Sequence, residues 1–209
     1  MRRSIPAGAP LVSVLLLGLL AAPSSLWAQV LEWTVDGAHS QAQFAVRHMM
    51  VSTVRGQLGR ISGAVKFDAK DLRTLVVDIT IDMAGIDTQE PSRDKHLRGA
   101  DFFDVEKFPT LTFKSRRAEA AGAGRFRLIG DLTMHGVTKE VTLDVEGPSP
   151  EVRQGASARI GATATATLSR NDFGLVWNRT IESGGVAVSD EVAVTIDIEM
   201  TRKLPAQSS

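Results

Sequence analysis

The sequence predicts an all-β fold, an antiparallel barrel or sandwich of about eight strands. Three observations carry that expectation. About eight short stretches alternate apolar and polar residues at period two. The connections between them read as hairpins, without the helical crossovers that a parallel sheet requires. With 209 residues, 43% of them hydrophobic, the chain can hold one sizeable core in one domain. Strands with one apolar face favour closure, because a closed sheet leaves no exposed edge. Eight strands enclose an interior that side chains fill, or that holds one slender ligand.

The first 28 residues stand apart. A basic start (Arg2, Arg3), an apolar run from Leu11 to Ala22 and a small residue, Ala28, before Gln29 are the layout of a secretory signal peptide. The run is about twelve residues, short of the roughly 20 a membrane-spanning helix needs. Export to the periplasm is the expectation, with Sec and twin-arginine routes both open. Cleavage removes two arginines and no acid, so 24 basic and 24 acidic side chains become 22 and 24, a net charge of about −2. No basic stripe marks a nucleic-acid partner, and no polybasic segment marks a lipid headgroup surface. The chain has no cysteine, which excludes disulfides, thiol catalysis and thiolate metal sites.

In the remaining chain, Trp33 to Asp36 is a short extended piece and Gly37 to Ser40 a turn. Ala42, Phe44, Val46 and His48 then share one face of a strand. Residues 54–68 continue extended, with breaks at Gly56, Gly59 and Gly63. Leu75, Val77, Ile79 and Ile81 alternate with Val76, Asp78, Thr80 and Asp82 as a half-buried strand. Leu111 and Phe113 face inward on the next. Phe126 to Met134 and Val137 to Val145 form a hairpin about a tight His135-Gly136 turn. Residues 147–155 read as a Pro/Ser loop, and Ala162 to Leu168 as a strand with small side chains on one face. A helical turn is expected at Arg170 to Phe173. The last strand sets Val192, Val194, Ile196, Ile198 and Met200 against polar neighbours. Residues 29–204 form the domain, and residues 205–209 are expected to be a disordered tail.

Ser92 to Phe113 is the one irregular feature. Its first half is charged and free of β-branched residues, with Ser92 expected as helix N-cap, Asp94 in the first turn and Gly99 as C-cap. Phe102, Phe103 and Phe108 follow, interleaved with Asp101, Asp104 and Glu106, and Pro109 closes the segment. A two-turn helix must lean on something else to persist. The expectation is a lid or end-plug on the β-structure.

Asp36-x-x-His39-Ser40 with Phe44-x-Val46-x-His48 resembles the opening of the YceI-like family of bacterial periplasmic polyisoprenoid-binding proteins. Arg93-Asp94-x-His96-Leu97, Asp101-Phe102-Phe103-Asp104 and Phe108-Pro109 resemble its middle signature. Gly130-x-Leu132-Thr133-x-His135-Gly136-Val137-Thr138 resembles its third, and Arg170-x-Asp172-Phe173-Gly174-Leu175 with Asp190-Glu191-Val192 its close. The resemblance covers Trp33 to Arg202. It implies a lipocalin-like, extended eight-stranded antiparallel barrel with a short helical lid. It also implies a lumen for a long apolar chain: a polyprenyl lipid, an isoprenoid quinone, or a fatty acid or its amide.

An inward apolar stripe is by itself ordinary core more often than ligand wall, and the resemblance tips it towards a lumen. The expected lumen residues are Phe44, Val46, His48, Val77, Ile79, Leu111, Phe113, Leu132, Met134, Ile196 and Ile198. His48 would be a polar handle at one end. Arg93, Asp94, His96, Phe102 and Phe103 are expected at the lid or mouth, with Arg93 and Asp94 pairing neighbours to hold the helix. Neither metal nor catalytic residues are expected. The four histidines lack the spacing of a zinc site; His39 and His135 should bond turn backbones. Asp101, Asp104 and Glu106 read as solvated or capping groups, and no serine sits in a G-x-S-x-G elbow. The sequence thus favours a non-enzymatic carrier without cofactor, its partner an apolar lipid, with a homodimer left open. A lipid-modifying enzyme using His48 or His96, and a dry-core module binding protein partners, are the alternatives.

Overall fold

The computed structural model describes residues 29–180 and 185–205. The expected signal peptide lies outside the described residues, as does all of the expected tail beyond Pro205. Eleven β-segments are present among the described residues: β1 (Leu31–Val35), β2 (Gln41–His48), β3 (Ser52–Gln57), β4 (Ile61–Asp68), β5 (Asp71–Asp82), β6 (Thr110–Ala120), β7 (Arg125–Met134), β8 (Val137–Glu146), β9 (Val152–Gln154), β10 (Ser157–Ser169) and β11 (Val188–Lys203). One helix, α1 (Pro91–Arg98), lies between β5 and β6.

The eleven segments make an eight-stranded closed antiparallel barrel. β1 and β2 form one bent strand beside β4 and β3, because Thr34 pairs Ala64 and Gln43 pairs Gln57 in nearly continuous register. The bend falls at residues 36–40, around the turn expected at Gly37 to Ser40. β11 closes the sheet. One of its edges pairs β10 from Ser157↔Lys203 to Ser169↔Glu191, and the other pairs β2 and then β1. β9 extends the edge of β10 within the stretch read as a loop, where Ser157 pairs Gln154.

The β7–β8 hairpin follows its sequence signal closely. Met134 pairs Val137, and His135 and Gly136 take φ of 52° and 74°. Both central positions of a type I′ turn require that left-handed backbone. A Cβ at Gly136 would also fall 2.6 Å from Phe108 Cε1, whose ring packs on His135.

Residues 83–109 cross one end of the barrel. Glu90, not Ser92, caps α1: its carboxylate accepts from the Ser92 and Arg93 amides. Pro91 explains the shift, since it fits the first helical position and so places the cap at Glu90, two residues before Ser92. Gly99 ends the helix as expected. Among the described residues no helix is long and apolar enough to cross a membrane.

Candidate functional site

Two apolar cavities lie in series inside the barrel. The larger, about 420 Å³, fills the half away from α1. Its wall includes Val77 and Ile79 of β5, Phe113 of β6, Leu128 of β7, and Ile196 and Ile198 of β11. Ala162 and Ala164 of β10, the small-residue face seen in the sequence, leave width there. The smaller, about 130 Å³, lies beneath α1. Phe44 and Val46 of β2, Leu111, Leu132, Met134, Leu168 and Val194 enclose it, with Leu97, Phe102 and Phe103 above.

Adjacent inward positions of one strand serve the two cavities in turn, Leu111 then Phe113, Val194 then Ile196. Period-two geometry puts such residues on one face. Phe113 also illustrates how the wall is built. A Cβ on Gly130 would lie 2.6 Å from Phe113 Cζ, so the ring occupies the space a side chain at residue 130 would take.

Every expected lumen residue lines one of these cavities except His48. His48 is exposed, because it is the last residue of β2 before the Met49-Met50 turn and lies beyond the enclosed part of the barrel. Phe102 and Phe103, from the expected lid or mouth, lie over the small cavity. Arg93, Asp94 and His96 line neither. Residues outside the expected set complete the walls, notably Leu168, Val194 and Leu97 in the small cavity and Phe126, Leu143, Val145 and Met200 in the large. Most carry the same alternation signal. Leu97 does not, since a two-turn helix shows too little periodicity to reveal its inward side.

The polar groups of the crossing hold it in place. The buried Asp94 carboxylate accepts from the Thr88 amide at 2.8 Å and the Thr88 hydroxyl at 2.5 Å. Arg93 donates to that hydroxyl oxygen and to the Thr88 carbonyl. The Thr88 hydroxyl, before the nearby arginines, lowers the Asp94 pKa. His96 pairs with Asp101 at 2.9 Å and meets Phe102 and Trp177 edge-on, each at 5.0 Å between ring centres. Arg170, 5% exposed, donates to the carbonyls of Leu175, Trp177 and Ser189 and to Asp190. It ties the start of β11 to the turn after β10.

His39 departs from expectation. Its Nδ1 contacts the Asp36 carboxylate at 3.0 Å rather than a turn carbonyl. His135 does meet a backbone carbonyl, that of Phe173 at 3.2 Å. Asp36, His39 and Glu199 bring possible ligand atoms within 4.8 Å of one another. Arg159 already sits among them, bonded to Asp36 at 3.1 Å and to Glu199, so a cation would have to displace a guanidinium. The His39 contact leads the causes that lower the Asp36 pKa to about 2, followed by the Ala38 amide and, further down, Arg159.

The fold and site define a class, a closed antiparallel barrel with apolar interior cavities and one end crossed by a short helix. Residues 33–200 match the YceI-like domain, and the chain belongs to that family. The UPF0312 protein SAS2572 of Staphylococcus aureus is 34% identical over 171 residues, covering 81% of this chain and 96% of the relative. Burkholderia cenocepacia BcnA superposes with a TM-score of 0.66 at 25% identity, over 79% of this chain and 98% of that one. A polyisoprenoid binding domain from Saccharophagus degradans, implicated in plant cell wall breakdown, shares the fold with a TM-score of 0.59 at 17% identity, over 83% and 98%.

Proposed function

We propose that the barrel binds one long-chain apolar ligand in its lumen, an isoprenoid lipid or quinone, or a fatty acid or its amide. It would carry that ligand through the periplasm without chemical conversion. The 420 Å³ cavity carries the reading. Protein interiors are close-packed, with few voids larger than a water. Binding sites, by contrast, commonly measure about 300–1,000 Å³.

A long hydrocarbon gains about 0.8 kcal/mol for each CH₂ taken out of water, and these walls are mostly apolar, with Asp68, Arg125 and Arg170 the ionisable residues on them. The Saccharophagus neighbour, a polyisoprenoid binding domain of the same fold, supports the chemical class. Against catalysis stands the placement of the titratable groups. His48 and His96 line neither cavity, and the Asp36 cluster is bound to Arg159.

The test is mass spectrometry of an organic extract of the natively purified protein, recovered from the periplasmic fraction with its amino terminus near Gln29. The expected result is one long-chain lipid in near-stoichiometric amount. Extracts with no enriched lipid, from protein still folded, would overturn the reading.

A further inference from the structure

Resting on that reading, we propose that the ligand lies in one direction only. Its polar head stays at the barrel end away from α1, and its hydrocarbon terminus occupies the small cavity beneath α1, whose depth selects chain length. Three observations combine here.

The wall is incomplete at the end away from α1. β5 pairs β6 only from Asp78↔Lys114 to Asp82↔Thr110. Below that fork, where the Ser115 hydroxyl accepts the Val77 amide at 2.8 Å, the two strands part. Leu72 and Leu75 on one side of the gap and Ala120 and Phe126 on the other line the large cavity. A chain can pass there with little loss of backbone bonding.

The α1 end is walled. Phe102 packs on Trp177 at 5.1 Å and on His96, and Asp94 locks the helix to Thr88. The small cavity is lined by carbon, and Arg170, the ionisable residue on its wall, is bonded to three carbonyls and Asp190. A polar head placed there would lose its water and gain no partner. A hydrocarbon end loses nothing.

The two cavities are consecutive along β6 and β11 and share no lining residue, so a chain that outgrows the first reaches the second by parting the side chains between them. A short chain ends in the large cavity. A longer one must end beneath Leu97 and Phe102, where the wall stops it.

The probe is a fatty acid carrying a diazirine on its terminal carbon, photolysed in the purified, delipidated full-length mature protein. The expected label falls on peptides holding Leu97 to Phe103 and Leu168. Label on Leu72 to Leu75 or Ala120 to Phe126 would overturn the orientation while leaving lumen binding intact. An absence of saturable labelling would sink the lumen reading, and this inference with it. Length selection is tested by filling the small cavity with Val194→Phe, or with Leu168→Phe if the first variant does not fold. Affinity for solanesol should fall at least tenfold, with that for farnesol changed less than twofold. Equal losses for both alcohols, or loss for neither, would overturn the ruler.

Discussion

Thr88 shows how one side chain can set the position of a whole segment. Its hydroxyl donates to Asp94 and accepts from Arg93, and its amide holds the same carboxylate. Thr88→Val keeps the shape and removes the hydroxyl, leaving both partners short of one bond where water is scarce. The thermal midpoint should fall by several degrees, measured by circular dichroism; an unchanged midpoint would show that the lock is dispensable. Asp36 gives a pH prediction of definite sign. Its folded pKa of about 2 lies below the ordinary carboxylate value of about 3.9. The unfolded chain therefore binds the proton first, and the contribution to stability is full above about pH 4 and lost as pH falls through about 2. Urea midpoints across that window should fall more steeply for the wild type than for Asp36→Asn. Parallel curves would remove Asp36 from the acid response.

At the scale of elements, the β7–β8 hairpin and α1 are held by different means. The hairpin is specified locally by its turn. Gly136→Ala should cost about 1–2 kcal/mol for a side chain on left-handed backbone, plus the shift forced on Phe108. Equilibrium urea unfolding would show it, and a loss below a few tenths would mean that the turn relaxes to another type. α1 is instead specified by contacts. Eight residues are too few to persist alone, so Glu90, Thr88 and the aromatic group around Trp177 keep it across the barrel end. Of the two expectations for this segment, lid or end-plug, its packing fits the end-plug.

On the proposed function the whole molecule is a wall built around a removable neighbour, and Phe113 tests that description. The ring is 6% exposed and borders the large cavity. In a close-packed core, losing such a ring costs about 3–5 kcal/mol, and a buried amide without partners adds about 1–3 kcal/mol. Phe113→Gln should instead lower retained lipid severalfold at a smaller loss of stability, because one side of the ring borders the cavity proposed for the ligand. Paired measurement of extracted lipid and denaturation midpoint decides it. Full lipid retention with a large stability loss would mean that the interior is core.

The sequence by itself determined the strands, their inward faces and the His135-Gly136 turn, because period-two alternation and left-handed turn residues are local signals. Hence Phe44, Ile79, Phe113 and Ile196 were legible as inward. Only the tertiary structure decided what inward means. His48 continues the apolar face of β2, yet the barrel ends before it, and alternation carries no information about where a wall stops. Asp94 stands in a first turn that the dipole alone could explain, but its partner is Thr88, set by how the crossing folds back. Whether an apolar stripe packs tightly or leaves 420 Å³ depends on strand tilt and closure, and on glycine or alanine facing a ring on another strand. Those are relations between distant residues, which no local pattern encodes.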